Sequence, residues 1–100
     1  MRVGVGVSQQ DLNSGEIVSA LRKAGAVVRF IEFAHQIRGC PDLLVGYGGV
    51  TWLLEVKGKR GRIRPEQEKF RAEWLGKGGP LAIVRSVAEA FVAVGLEPPF

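Results

Sequence analysis

Residues 41–58, PDLLVGYGGVTWLLEVKG, contain two apolar runs that are joined by a pair of glycines and flanked by charged residues. A Gly-Gly pair between runs of this kind is typical of a two-residue β-hairpin turn. We therefore predict strands over residues 43–47 and 50–56. Because both runs are nearly continuous in apolar residues, we expect the two strands to lie in the centre of the sheet.

The hairpin turn also sets which residues face each other. Counting outward from the two glycines places Asp42 opposite Glu55, and Lys57 returns to the same face because side chains alternate along a strand. A turn with an odd number of residues would shift the pairing by one position and separate the two carboxylates. The even turn therefore predicts three ionisable side chains at one end of one face.

Two carboxylates that face each other repel, and near a buried strand they also lose solvation, so the pair needs a cation. Lys57 is one candidate. Mg²⁺ is the stronger one, because it is typically held by one or two carboxylates together with waters and substrate phosphate oxygens. Such a metal would activate a water, and Lys57 would orient that water or stabilise the developing charge. Taken singly, each of these residues is also explained as a solvated strand end, but the combination favours a site.

The segment before the hairpin predicts one helix and one strand. Apolar residues recur at helical spacing over residues 13–24, with Asn13 as the N-cap, Glu16 closing a capping box and Gly25 ending the helix. Residues 27–33, VVRFIEF, combine β-branched and aromatic residues with alternating charges and predict a half-buried strand.

The segment after the hairpin predicts two more helices around a strand. Pro65 fits the first position of a helix that ends at about Gly76, residues 81–85 form a short apolar strand, and residues 86–94 form a last helix. The order is helix, strand, strand, strand, helix, strand, helix: an α/β fold around one small mixed sheet. We expect the first of these two helices to turn an inward stripe to the sheet: Gln67, Phe70, Arg71, Trp74 and Leu75.

Composition limits the function classes. The 100 residues predict a single domain over residues 1–100, and the net charge of +4 favours a polyanionic partner such as nucleic acid. Cys40 is the only cysteine, so no internal disulfide points to an oxidising compartment, and no apolar run is long enough for a membrane span. We therefore expect a cytoplasmic protein that does not associate with membranes. Residues 3–8, VGVGVS, lack the helix of a nucleotide-binding fingerprint, and we interpret them as an arm or an edge strand.

A basic loop, KGKRGRIR, follows the hairpin over residues 57–64. It carries five cations in eight residues, and its two glycines allow the backbone to approach a polyanion closely. We expect it to contact phosphates, which supply affinity without reading base sequence. Arg38, just before the Pro-Asp pair, can also reach the substrate, whereas we interpret His35 as a surface residue. The expected DNA-binding residues are therefore Arg38, Lys59, Arg60, Arg62 and Arg64.

Pro41-Asp42 followed after twelve residues by Glu55-Val56-Lys57 resembles the PD-(D/E)xK nuclease signature. Within that superfamily, residues 38–43 (RGCPDL) and 61–67 (GRIRPEQ) resemble the virus-type replication-repair nuclease (VRR-NUC) family. The likeness covers about residues 14–94, which we take as the core of the domain.

The resemblance implies a metal-dependent DNA endonuclease that hydrolyses phosphodiester bonds with Mg²⁺ or Mn²⁺. It implies Asp42 and Glu55 as metal ligands, Lys57 as the catalytic lysine, and supporting roles for Glu16 at the metal and Gln67 in catalysis. Glu16 is equally well explained as part of a helix cap.

Small stand-alone members of the family resemble Holliday junction resolvases, which implies branched DNA as the substrate and a homodimer as the active form. A viral or prophage origin, and a location in the cytoplasm of a bacterial or virus-infected host cell, would fit the family. Two alternatives are a non-catalytic nucleic-acid-binding domain of the same fold and a duplex-cutting, restriction-like nuclease.

Overall fold

The predicted hairpin forms the centre of a four-stranded sheet. The computed structural model describes residues 9–100, so the expected N-terminal arm or edge strand lies outside the described residues. The two strands of the hairpin have the predicted bounds. Both turn glycines have positive φ, 62° at Gly48 and 79° at Gly49, as a tight hairpin turn requires. The helices and strands in chain order are α1 (Gln9–Lys23), β1 (Val27–Phe30), a short 3₁₀ helix (Ala34–Gln36), β2 (Leu43–Tyr47), β3 (Val50–Val56), α2 (Pro65–Lys77), β4 (Leu81–Val84) and α3 (Val87–Val94).

The sheet is mixed, as the sequence predicts, with the strand order β1-β2-β3-β4. Strand β2 is antiparallel to both β1 and β3, and β4 pairs with β3 in parallel. A parallel partner for β3 requires a long crossover, and α2 forms part of that connection. Strands β2 and β3 therefore occupy the central positions that their apolar sequences predict.

Helices α1 and α3 pack together on one face of the sheet and cover the main core. The alternation of side chains sends Leu43, Val45, Leu54 and Val56 to this face, and all four are fully buried. Helix α3 is capped by Ser86, whose Oγ accepts the Glu89 N–H at 3.1 Å. None of the helices in residues 9–100 is long and apolar enough to cross a membrane.

Helix α2 lies on the opposite face, and it packs more loosely than the sequence predicts. No residue of α2 is fully buried. Phe70 and Trp74 stack on each other with ring centroids 5.8 Å apart, and both are partly buried together with Gln67 and Arg71. Leu75 is 45% exposed, so its assignment to the inward stripe is wrong. The helix makes its main contacts with the sheet at the edge strand β4.

Two element boundaries differ from the sequence prediction. Helix α1 begins at Gln9, four residues before Asn13, so Asn13 is inside the helix and does not cap it. Strand β1 ends at Phe30, three residues before the predicted end at residue 33. The Ile31 N–H makes the last bond to β2's side of the hairpin, at the Asp42 carbonyl, and the chain then turns into the 3₁₀ helix. Only Val28 of β1 is buried, since β1 is an edge strand.

The segment before Pro41 packs directly against the first turn of α2. Gly39 has a φ of 80°, and a Cβ at this position would overlap the carbonyl oxygen of Glu66 and lie 2.6 Å from its carbonyl carbon. Pro41 is itself fully buried. This contact between two backbones brings the start of α2 close to Asp42.

We predict that Gly39→Ala destabilises the protein more than Gly49→Ala. Gly49 has nearly the same φ, 79°, but open space where a Cβ would stand, so alanine there meets only the cost of a left-handed backbone, about 1 kcal/mol. Alanine at Gly39 must also displace Glu66, which should lower the free energy of unfolding by at least about 1 kcal/mol more. Urea denaturation of the two variants measures the difference. Equal destabilisation would contradict the close approach.

Candidate active site

The hairpin register places the carboxyl groups of Asp42 and Glu55 in contact. Leu43 pairs with Leu54 at the end of the ladder, so the next facing residues are Asp42 and Glu55, as predicted. The two carboxyl groups share a hydrogen bond. Asp42 is held on two sides, because its Oδ2 accepts the Val56 N–H at 3.2 Å and its carbonyl accepts the Ile31 N–H at 2.8 Å. Backbone bonds from both neighbouring strands therefore orient this carboxylate.

Burial changes the acidity of Glu55. Glu55 is only 3% exposed, and its pKa rises from an ordinary 4.5 to about 8. Desolvation is the largest cause, and the charge of Asp42 and a hydrogen bond to Asp42 act in the same direction, while the charges of Lys57 and Arg64 oppose the rise without reversing it. In the absence of a metal, Glu55 therefore holds a proton at neutral pH.

Lys57 stands directly after β3 and is 4% exposed. Its N–H donates to the Val84 carbonyl at 3.0 Å, which continues the pairing of β3 with β4 for one more residue. Within residues 9–100, no salt bridge joins Lys57 to either carboxylate. The lysine is thus close enough to act on Glu55 electrostatically and is not committed to an ion pair with it.

A cleft of about 290 Å³ opens beside Asp42, between the 3₁₀ helix and the start of α2. Asp42, Arg38, Arg64 and Gln67 are predicted site residues that line it. The cleft also contains residues to which the sequence analysis gave no site role: Ala34, His35, Ile37, Gly39, Cys40 and Glu66. Most of these residues lie in the segment just before Pro41, and that position is the feature of the sequence that could have pointed to them.

Gln67 has a second role that the sequence did not reveal. Its Oε1 accepts the Arg64 N–H at 2.9 Å and so caps the first turn of α2. Gln67 lines the cleft as predicted, and the cap fixes its side chain at the cleft wall. Its part in catalysis remains a prediction.

Arg38 and Arg64 place positive charge at the cleft. The charge of Arg64 acts on Glu55 and lowers the pKa of that carboxyl. Arg38 is 87% exposed in its side chain and lies 3.9 Å from the carboxylate of Glu66, a weak surface pair. Three further predicted DNA-binding residues are exposed on the basic loop: Lys59, Arg60 and Arg62.

Cys40 adjoins the two carboxyl groups. Burial raises the pKa of its thiol, and the charges of Glu55 and Asp42 raise it further. The thiol is therefore protonated at neutral pH, which argues against a nucleophilic role. His35 is exposed at the rim of the cleft, as expected for a surface residue.

The structure does not bring Glu16 together with the two carboxylates of the hairpin. No group of three His, Cys, Asp or Glu side chains within the described part of the chain could hold a metal ion. Glu16 is exposed on α1, and the neighbouring Ile17 packs into the core on the other face of the sheet. The capping box between Asn13 and Glu16 is wrong, because α1 begins at Gln9.

A comparison with solved structures finds a "VRR_NUC domain" that superposes with a TM-score of 0.70. The match covers 84% of this chain and 91% of that chain, with 24% sequence identity. The chain has the VRR_NUC fold. No family model and no curated protein matches the sequence. The fold expected from the PD-(D/E)xK resemblance is therefore confirmed, and at this identity the match shows the fold alone.

The acidic pair in this VRR_NUC fold suits a divalent cation. The carboxyl groups of Asp42 and Glu55 lie close together, and the charge of Asp42 helps to raise the pKa of Glu55, a repulsion that a bound cation would offset. Two carboxylates with no third acidic ligand match the sparse protein coordination of Mg²⁺, which keeps several waters and takes phosphate oxygens from a substrate. The same pair falls short of the four-ligand set of a structural zinc site.

We predict that the metal-free protein loses stability as the pH rises from about 4.5 to about 8. Over this interval folded Glu55 retains a proton that the unfolded chain has released, so the free energy of unfolding falls with a slope of up to about 1.4 kcal/mol per pH unit. This contribution is fully present below the unfolded pKa and is lost as the pH passes the folded pKa. Urea denaturation in EDTA at several pH values measures the slope, and Glu55→Gln should flatten it. An unchanged slope in that variant would show that another group titrates.

Proposed function

We propose that this protein is a metal-dependent DNA endonuclease that acts on branched DNA. The observation that carries the proposal is the contact between the Asp42 and Glu55 carboxyl groups, with Lys57 directly beside them, at the edge of a cleft lined by arginines. The fold is that of a VRR_NUC domain, a name that denotes a nuclease. The fold and the site therefore support the same class of reaction.

The reaction is the hydrolysis of a phosphodiester. The oxygen of a water forms a bond to phosphorus, one P–O ester bond breaks, and the products are a phosphate monoester and a hydroxyl group. Asp42 and Glu55 would hold Mg²⁺ or Mn²⁺, which when bound supplies charge neutralisation at the phosphate and a more acidic water. The ammonium group of Lys57 would orient the attacking water or stabilise charge on the phosphate oxygens. Gln67 and Arg64 would border the bound phosphate.

The basic residues support a DNA partner. Lys59, Arg60 and Arg62 project from the exposed loop that leaves the site, and Arg38 and Arg64 line the cleft. Contacts of this type bind phosphates and carry no base sequence. All helices and strands of residues 9–100 belong to the core fold, so the described chain offers no added element for reading bases in a groove. This favours recognition of DNA shape over recognition of sequence.

A homodimer in the cytoplasm of a bacterial or virus-infected cell completes the proposal. One copy contains one acidic pair, whereas cutting two strands of a junction calls for two. Large apolar side chains remain exposed on one copy, including Val27 (58%), Leu44 (41%) and Phe33 (57%), and clusters of exposed apolar side chains often mark protein interfaces. Analytical ultracentrifugation with and without DNA measures the stoichiometry.

We predict that the protein cuts a labelled four-way junction in Mg²⁺ or Mn²⁺ and does not cut in EDTA. Glu55→Gln, Asp42→Asn and Lys57→Met should each lower the rate by about 100-fold or more, because each removes a metal ligand or the charge at the phosphate. Flap, single-stranded and linear duplex DNA of matched length reveal the preferred structure. The initial rate of cleavage is the measurement.

Lys69→Met is the matched control for the loss of a lysine, because Lys69 is exposed on α2 and does not line the cleft. Its cleavage rate should stay within twofold of the wild type, about the scatter of ordinary surface substitutions. Binding without cleavage under every metal would leave a non-catalytic DNA-binding domain. Equal cutting of duplex and junction would favour a restriction-like nuclease.

We predict that the basic loop contributes to DNA affinity through phosphate contacts. Arg60→Gln and Arg62→Gln together should weaken binding to junction and duplex by similar factors, and should reduce the slope of log affinity against log salt by about 2. Fluorescence anisotropy in EDTA, at several salt concentrations, measures binding without cleavage. A salt slope identical to that of the wild type would show that these arginines do not touch DNA.

A further inference from the structure

Polar contacts tie α1 to the ends of β3 and β4. They are made by the side chains of Asn13 and Arg85, two residues that the proposed reaction does not use. The Asn13 side-chain amide donates to the Lys57 carbonyl and to the Arg85 carbonyl, at 2.9 Å in each case. These carbonyls stand just after β3 and β4, where the two parallel strands leave the sheet. One amide group therefore holds the backbone of Lys57 to the neighbouring strand end.

Arg85 continues this network into the basic loop. Its Nη1 donates to the Gly58 carbonyl at 2.7 Å and reaches the Lys59 carbonyl at 3.5 Å. The Gly58 carbonyl also accepts the Gly61 N–H at 3.0 Å, which closes a turn at the start of the loop. The guanidinium group of Arg85 thus anchors the same oxygen that closes the turn.

The anchored turn lies beside the side chain of Lys57. A Cβ placed on Gly61 would lie 3.5 Å from Cδ of Lys57, so the turn forms one wall of the space around the lysine stem. A lysine side chain is a flexible four-carbon stem that ends in a compact ammonium group, without the rigid planar donors of arginine. The groups that surround the stem therefore decide where the ammonium group lies. Arg85 therefore constrains the side chain of Lys57 from one side, and Asn13 constrains the backbone of Lys57.

We propose that Asn13 and Arg85 are positioning residues that hold Lys57 and the basic loop in their active arrangement. The inference rests on the proposed nuclease function. Neither side chain belongs to the core cluster, and both are only partly buried. Their described contacts converge on the backbone of residues 57–59 and on the strand end at residue 85, which is the pattern of a positioning device.

The two residues predict different kinetic effects. Asn13→Ala releases the backbone of Lys57 and should lower kcat by about 10- to 100-fold with little change in KM, since small misplacements of a reacting group have effects of this size. Arg85→Met releases the turn and the loop together, so it should lower kcat and also raise KM for DNA. Asn13→Asp keeps the shape of the side chain but faces two carbonyl oxygens with a carboxylate, so it should be less active than Asn13→Ala.

Arg22→Met is the matched control. Arg22 also donates from its guanidinium group to a backbone carbonyl, that of Val28 at 2.8 Å, but at the other end of α1 and away from the loop. This variant loses the same type of bond as Arg85→Met, and its kcat and KM should equal those of the wild type. Thermal melts of all variants show that each is folded at the assay temperature.

Limited trypsin digestion tests the anchoring without any nuclease activity. The loop carries three exposed trypsin sites, at Lys59, Arg60 and Arg62, and the Arg64–Pro65 bond resists trypsin because proline follows the arginine. In Arg85→Met and Asn13→Ala, cutting within residues 59–64 should be at least about fivefold faster than in the wild type and in Arg22→Met, because lost hydrogen bonds raise the population of the open loop. Mass spectrometry assigns each cut to its peptide bond.

The outcomes separate this inference from the proposed function. Absence of DNA cleavage by the wild type under every metal would overturn the nuclease function and with it the catalytic part of the inference, while digestion would still decide whether Arg85 and Asn13 anchor the loop. Normal kcat and KM in both variants of an active enzyme would overturn the positioning role. So would Asn13→Asp activity equal to or above that of Asn13→Ala, because the donor role would then be absent.

Discussion

The rest of the molecule depends on the contact between two carboxyl groups that the pairing of β2 with β3 holds together. Glu55 keeps its proton at neutral pH, and if both groups were ionised they would separate unless the backbone prevents it. Here it does, because Asp42 is bonded to β3 through the Val56 N–H and to the end of β1 through its carbonyl, while Glu55 stands within a central strand. The hairpin thus maintains an electrostatically unfavourable arrangement that binding of a cation would relieve.

This constraint explains why the two faces of the sheet are packed differently. One face is closed by α1 and α3 around a continuous apolar core, which supplies most of the stability. The other face carries the acidic pair, and α2 lies against its β4 side with none of its own residues fully buried. Gly39 then fits where the backbone of the segment before Pro41 meets the first turn of α2, and this approach creates the cleft. Helix α2 is therefore packed more loosely than the helices on the core face.

The polar groups at the ends of β3 and β4 hold the backbone on which the same site is built. The Lys57 N–H bonds to Val84, its carbonyl accepts a bond from Asn13, and the turn against its stem is anchored by Arg85. Three elements that are distant in the sequence therefore meet at one lysine. Such convergence is expected where a flexible side chain must be held in a defined position.

The sequence alone determined the strands of the hairpin, their central place in the sheet, the register that opposes Asp42 to Glu55, and the order of the helices and strands. These depend on local signals: the Gly-Gly turn, the alternation of side chains and the continuous apolar runs. The start of α1, the early end of β1, the partial burial of α2 and the roles of Asn13, Arg85 and Gln67 were decided only by the tertiary structure. Each of them depends on a partner that is distant in the chain or on competition between neighbouring elements. A capping asparagine and an asparagine that bridges two strand ends look identical in sequence, because the carbonyls that distinguish them lie 44 and 72 residues away.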